Sequence, residues 1–257
     1  MLKIDQVGEN KKILNFIKNT LSNTGIKNVV LGMSGGIDST VALYLLKEYL
    51  LPENIFIAHL YYKENHFNKI EKILNDFKIP TNNITLFSIE QIVAKFAHSL
   101  KIEPGDNQLG KIRIGNICAR IRMTILYDLA KKNKALVCGT ENRSEKLLGY
   151  FTLHGDQASD IEPIQHLYKT QVVHLAKYLN IPEQIITQKP TAGLWTGQTD
   201  ESEFGFTYQE ADQVLYLYFN KKEDLEEIEK KGFKNARKII DFAKKNSFKH
   251  RTPYIIK

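Results

Sequence analysis

Four short apolar runs, each followed by a longer stretch with apolar residues at helical spacing, constrain the fold of this chain more than any other feature. The runs lie at 27–32, 54–61, 83–88 and 134–139, and the helical stretches at 38–51, 65–78, 89–99 and 110–132. This alternation is the pattern of a parallel sheet with helices on both faces. Ahead of it, residues 9–23 place Ile13, Leu14, Phe16, Ile17 and Leu21 on one helical face, which is expected to pack on the sheet edge. The tail, 207–247, returns to helix. No internal repeat, low-complexity tract or linker divides the 257 residues, so one domain spanning 1–257 is expected. In such sheets ligands bind beyond the carboxyl ends of the strands.

The turn after the first run reads LGMSGGIDST, Leu31 to Thr40. Gly35 and Gly36 can take backbone angles closed to other residues and bring no side chain that would hold a ligand away. Ser34 and Ser39 offer hydroxyls, and the free N–H groups of a helix start point toward any anion in the loop. The loop reads as a phosphate cradle. It is not a Walker loop, because no lysine follows the second glycine. Asp38 is tolerable beside phosphates if a divalent cation lies between them. SGGIDS resembles the pyrophosphate-binding loop of the ATP pyrophosphatase superfamily, whose members split ATP into AMP and pyrophosphate. That resemblance implies a Rossmann-like, adenine nucleotide alpha-hydrolase-like α/β fold with a helical C-terminal tail.

The formal charge of +7 suits anionic ligands, although the lysines are scattered and most fall on predicted helix faces. Charge alone leaves nucleic acid as a partner, but no zinc-finger spacing, RNP-like motif or basic block supports it, and none is expected. Cys118 and Cys138 form no CxxC pair, the N-terminus carries no apolar signal segment, and no apolar run is long enough for a membrane span. A reduced cytoplasmic protein without a structural metal is expected.

A second marked site, GTENRSEKLLGY, also follows a strand. Thr140 puts a hydroxyl at the strand end. Glu145 falls on the first turn of the next helix, where an acid is ordinary; paired with Asp38 on the same sheet edge, it becomes a candidate second Mg²⁺ ligand. Arg120 and Arg122, two apart on a helix, point to different faces, so one can reach an anion while the other pairs with structural acids. Lys169 opens a predicted helix, where a cation opposes the dipole and invites an anion. Residues 187–206, TQKPTAGLWTGQTDESEFGF, lack periodicity, and such long segments are usually functional or disordered. Trp195 lies in this segment, either pinning it to the body or touching ligand.

Taken together, SGGIDS, GNICARIRM, LVCGTENRSE, GYFTLHGD, LYKTQV and KPTAGLWTGQTDE occur in this order over residues 32–203 and closely resemble the NAD synthetase family. The resemblance implies that Gly32, Met33, Ser34, Gly35, Gly36, Ile37, Asp38 and Ser39 hold ATP, with Thr140, Lys169 and Thr191 also in contact with it. It implies that Asp38 and Glu145 bind Mg²⁺, that Arg120 and Asp160 contact deamido-NAD, and that the enzyme is a homodimer with deamido-NAD bound across the interface. Two positions depart from the family pattern. Leu153 stands where many members have lysine, and the usual His-Lys pair near the end, which reaches the substrate, appears here as Lys249 and His250.

The chemistry implied is amidation. A carboxylate is a poor electrophile, and adenylylation makes it reactive: the nicotinate carboxylate of deamido-NAD attacks the α-phosphorus of ATP, pyrophosphate leaves into the SGGIDS cradle, and ammonia displaces AMP. Asp38, Glu145 and Lys169 carry the catalytic charge, and no side-chain nucleophile is required. Glutamine-using relatives carry a separate amidohydrolase domain, for which this chain has no room ahead of its first motif, so ammonia is the expected nitrogen source. The segment 188–206 is expected to close over the adenylate and exclude water. Two other readings remain at this level: another ATP pyrophosphatase enzyme, such as one acting on tRNA, and a nucleotide sensor without turnover.

Overall fold

The computed structural model describes residues 2–102, 108–191 and 199–256. The chain opens with helix α1 (Gln6–Thr24), capped by the Asp5 side chain on the Gly8 N–H, and enters strand β1 (Asn28–Gly32). Helix α2 (Ile37–Tyr49), β2 (Ile55–Tyr61), α3 (Asn68–Asp76), β3 (Ile84–Ser88), α4 (Glu90–Ser99), the long α5 (Gln108–Asn133) and β4 (Ala135–Cys138) follow in strict alternation apart from the adjoining pair α4 and α5. Then come α6 (Arg143–Leu148), α7 (Lys169–Tyr178), α8 (Glu183–Ile186), α9 (Asp200–Phe204), α10 (Tyr208–Leu215) running into a π-helical turn at Tyr216–Asn220, α11 (Leu225–Lys230) and α12 (Ala236–Asn246). No helix among the described residues is long and apolar enough to cross a membrane.

The four strands are parallel in the order β3-β2-β1-β4. Progress from β1 through β3 runs one way and β4 returns to the other side of β1, so the strand order reverses between β1 and β4. A crevice opens at the carboxyl ends of strands at such a reversal. Leu31 pairs with Cys138, which sets the two glycine turns that follow these strands side by side.

Strand alternation splits the core between the two faces. Val29, Leu31, Ile55 and Ile57 pack against Ile13 and Ile17 of α1 and the apolar faces of α2, α3 and α7. Ala58 and Leu60 turn the other way onto Val93 of α4 and Cys118 and Ile121 of α5, and Val30 and Val137 onto Ala130. A separate cluster joins the tail to α6: Leu148, Tyr168, Phe204, Phe206, Val214, Ile239 and Ile240 are all buried in it.

Two expectations need correction. Helix α1 packs on α2 and α7, not on a sheet edge, because its buried face, Ile13, Ile17 and Leu21, completes the layer that those helices form over the strands. The segment 187–206 is not aperiodic throughout. Thr199 caps α9 through the Ser202 N–H, and Phe204 and Phe206 are buried in the tail cluster. Trp195 and the central part of the expected covering segment, 192–198, lie outside the described residues.

Candidate active site

The first turn is built as an anion cradle. Gly35 takes φ +87°, a backbone region in which side chains are strained. Gly36 caps α2 without a side-chain hydrogen bond to the helix, so the first N–H groups of α2 keep no capping partner from that residue. Ser34 Oγ accepts the Gly36 N–H at 3.2 Å and lies 3.2 Å from Ser39 Oγ, which ties the two ends of the loop. Met33 and Ile37 are buried and anchor the loop from below.

The second turn is held by carboxylates. A Cβ at Gly139 would lie 1.9 Å from Glu162 Oε1 and 2.7 Å from Ser159 Cβ, so a larger residue there would have to displace both side chains. Glu162 Oε1 accepts the Ser159 hydroxyl at 2.7 Å and Oε2 accepts the Glu141 N–H at 3.2 Å. Glu141 Oε2 accepts from Gln165 Nε2 at 2.7 Å, with Lys146 Nζ at 3.5 Å. Burial lifts both acids, Glu141 to about 7 and Glu162 to about 8. Thr140 stands between this pair and the strand end.

Beyond it, Asn142 and Glu145 form a reciprocal cap at the start of α6: Asn142 Oδ1 accepts the Glu145 N–H at 3.1 Å and Glu145 Oε2 accepts the Asn142 N–H at 3.3 Å. Asn142 Nδ2 also donates to Asp38 Oδ1 at 3.1 Å, across the crevice. The acid expected at a helix start is thus a cap that also faces the Lys169 ammonium.

Lys169 closes the arrangement. It is only 4% exposed, and its Nζ lies 2.5 Å from Asp38 Oδ2 and 3.4 Å from Glu145 Oε1. Burial alone would lower the ammonium; the Asp38 and Glu145 carboxylates more than reverse this and hold it above the usual lysine range. Glu145 is raised, by burial first, with Asp38 adding to the rise while Lys169 opposes it. The seat of Lys169 comes from the tail. Ser144 Oγ accepts the Lys169 N–H at 2.8 Å and donates to Asp212 Oδ1 at 2.5 Å, and Asp212 Oδ2 accepts the Thr170 N–H at 2.7 Å. The Tyr208 ring lies 5.4 Å from Nζ, and Tyr208 donates to Asp200 Oδ2 at 3.1 Å. Asp200 N donates to Pro190 O at 3.0 Å, which ties the residue before Thr191 to the start of α9. Asn142, Ser144, Asp200, Tyr208 and Asp212 were not marked by the sequence pattern. Asp212 left a trace there, as an acid on the apolar stripe of Ala211, Val214 and Leu215.

The donor set of Asp38 and Glu145 fits a hard divalent cation, since Mg²⁺ takes one or two carboxylates together with phosphate oxygens. In this structure both carboxylates converge on a single cation, the Lys169 ammonium.

The residues implied for deamido-NAD gather elsewhere, around a cavity of about 380 Å³ lined by Tyr127, Lys146, Leu153, His154, Ser159 and the tail pair Lys249 and His250. Asp160 borders it through Tyr127, whose hydroxyl donates to Oδ1 at 3.4 Å, while Oδ2 accepts the Val137 N–H at 2.7 Å. Arg120 is exposed and donates to Leu153 O at 3.1 Å, whereas Arg122 turns inward and donates to Leu60 O at 2.9 Å. Lys249 Nζ donates to Gly149 O at 2.7 Å and Phe151 O at 2.8 Å, so it is engaged with backbone; His250 rests on the Phe151 ring, 5.7 Å away. Lys146, one residue from Glu145, lines this cavity.

A parallel sheet that presents a glycine cradle, two carboxylates and a buried lysine at its strand-order reversal defines a nucleotide-binding α/β protein of the ATP-splitting class. The family model for NAD synthase matches residues 9–253, and the chain belongs to that family. It is 38% identical over 251 residues to the NH(3)-dependent NAD(+) synthetase of Fusobacterium nucleatum, covering 96% of this chain and 94% of that protein. Among solved structures it resembles the NMN synthetase of Francisella tularensis, with TM-score 0.81 and 31% identity over 99% of both chains. It also resembles the NH3-dependent NAD synthetase of Campylobacter jejuni in complex with nitrate, with TM-score 0.78 and 30% identity over 99% of this chain and 100% of that one.

Proposed function

We propose that the protein is an ammonia-dependent NAD synthetase of the cytoplasm, amidating deamido-NAD to NAD with ATP and releasing AMP and pyrophosphate through an NAD-adenylate. The observation that carries this reading is Lys169 seated between Asp38 and Glu145 at the mouth of the glycine cradle. Mg²⁺, held by Asp38 and Glu145, supplies charge neutralisation at the phosphates when bound. The α2 N-terminus and the Ser34 hydroxyl bind and orient the pyrophosphate end of ATP, with Ser39 holding the loop through its bond to Gly36 O. Lys169 adds a fixed cation beside it, so the charge that develops as pyrophosphate separates meets preset partners. His250, Arg120 and Asp160 orient deamido-NAD from the cavity, and Thr140 and Thr191 contact ATP. No group in the crevice needs to act as a nucleophile, because the substrate carboxylate attacks.

Incubation with Mg-ATP, deamido-NAD and ammonium should give NAD, AMP and pyrophosphate in equal amounts, with no NAD formed when any component is omitted and, without ammonium, pyrophosphate limited to about one per site as the adenylate accumulates. ATP binding without AMP formation would instead identify a sensor. Because the Francisella neighbour is an NMN synthetase, the mononucleotide carboxylate belongs in the same assay; faster turnover of it than of deamido-NAD would displace the dinucleotide reading.

The family reading also implies a homodimer. Its support is a set of exposed apolar side chains on the β3 edge of the molecule: Leu86 and Phe87 on β3, Phe96 and Leu100 toward the end of α4, Leu109 and Ile112 on α5. Replacing Phe96 and Leu100 by glutamate should convert a dimer into monomers in sedimentation. A native protein that sediments as a monomer would remove this part of the reading.

A further inference from the structure

A backbone loop cradles an anion only if its N–H groups face the ligand and its carbonyls face away. Two carbonyls of the glycine turn are drawn off by side chains. Gly36 O accepts from Ser39 Oγ at 3.1 Å and Thr40 Oγ1 at 2.9 Å, both within the motif itself. Met33 O is taken from outside it, by His59 Nδ1 at 2.7 Å, and the Met33 N–H is held by Ala58 O at 2.9 Å. Strand β2 therefore grips both ends of the first residue of the turn.

His59 is an unexpected residue at this place. It is 3% exposed, in a strand reading IFIAHLY, with the Tyr61 and Phe67 rings each 6.0 Å from its own. The same position would accept an apolar side chain on packing grounds. A carbonyl can only accept, so Nδ1 carries the proton. Burial first, with His66 and Arg122 adding, keeps the ring below the usual histidine range against the opposing pull of the Met33 carbonyl and the Asn65 side chain. Among the described residues Nε2 is buried without a hydrogen-bond partner. An unused buried acceptor is unfavourable, and the donor placed on Met33 is what offsets it.

We propose that His59 is a positioning residue for the nucleotide loop: its Nδ1–H turns the Met33 carbonyl away from the bound triphosphate, so that this carbonyl does not face the anion. The proposal rests on the ATP-dependent reading above and acts only on the binding of phosphate, not on deamido-NAD.

Asparagine and glutamine substitutions separate this role from packing. An asparagine amide nitrogen overlays Nδ1 and can reach Met33 O; a glutamine nitrogen overlays Nε2 and cannot. His59→Gln should raise the KM for ATP and the calorimetric Kd for a non-hydrolysable ATP analogue about 5- to 10-fold, the worth of one positioning hydrogen bond. The KM for deamido-NAD should stay unchanged and kcat should move less than the KM for ATP. His59→Asn should stay within about twofold of native in ATP affinity, although both variants lose the ring. Equal ATP affinity in the two variants, whether native-like or weakened, would reduce His59 to packing. In the native protein, the imidazole nitrogen resonances should report a proton on Nδ1 and a lone pair on Nε2; the opposite tautomer would overturn the proposal even if neither variant folds. A native protein that binds no ATP analogue would overturn the nucleotide reading and this role with it, whereas native binding with indistinguishable variants overturns this role alone.

Discussion

Glu162 shows how much one side chain can carry at the residue scale. Its two oxygens fix the turn beyond β4 by accepting from Ser159 and from the Glu141 backbone, and they leave no space for a Cβ at Gly139. Its carboxyl is raised to about 8 by burial, with Glu141 adding, from the 4.5 of an unperturbed group. Between those values the folded protein holds a proton that the unfolded chain has released, so this group's contribution to stability declines as pH rises through that window. Glu162→Gln removes the ionisation while keeping an acceptor for the Glu141 N–H. The variant should therefore gain on the native protein by about 3 kcal/mol between about pH 5.5 and about pH 8.5, roughly 6–12 °C in melting temperature. Thermal melts of both proteins at the two pH values check this. A stability difference that does not change with pH would mean that Glu162 is ionised in the fold throughout.

At the scale of elements, α5 divides its work between two arginines. Arg122 reaches inward to the carbonyl of Leu60 near the end of β2, so Arg122→Ala should cost about 2–3 kcal/mol and lower the melting temperature by about 5 °C. Arg120 faces outward onto the backbone of Leu153 at the rim of the cavity. Arg120→Ala should change stability by less than about 0.5 kcal/mol and raise the KM for deamido-NAD. Paired melts and initial rates test the ranking, and the reverse order would exchange the two roles. The elements themselves were legible in the sequence because hydrophobic period is a local property: all four strands and the helices between them fall within a few residues of their expected ranges. The loops after β1 and β4 were legible for a different reason, since glycines, hydroxyls and an acid in fixed order leave little other use. What could not be read was the support behind them. Asn142 reads as an ordinary helix cap and Ser144 as helix surface, and Asp200 sits in a stretch without period, so their contacts with Asp38, Lys169 and Tyr208 exist only in three dimensions. His59 and Asp212 are the exceptions. Each puts a polar group where the period calls for an apolar one, and each proves to hold a backbone group of the site.

On the scale of the whole molecule, the sheet supplies the loops and the helical tail supplies their alignment. Asp212 is fully buried on α10 and accepts from both Ser144 and the Thr170 N–H, so α6 and the start of α7 are set relative to each other by a residue from the tail. Asp212→Ala strands two buried donors and should cost about 3–4 kcal/mol while weakening ATP binding; Asp212→Asn, which keeps an acceptor, should lose less of both. Urea midpoints and the KM for ATP measure the two effects, and an alanine variant with native ATP affinity would show that Lys169 keeps its place without the tail. The same dependence bears on how the protein is made. A chain emerging from the ribosome offers the glycine turn, Asp38, Glu145 and Lys169 well before α10 has left the exit tunnel, and early segments can begin to fold as they appear. Until Asp212 arrives, the Ser144 hydroxyl and the Thr170 N–H lack the acceptor that seats Lys169, so an unfinished chain that carries the sequence motif is expected not to split nucleotide during its own synthesis.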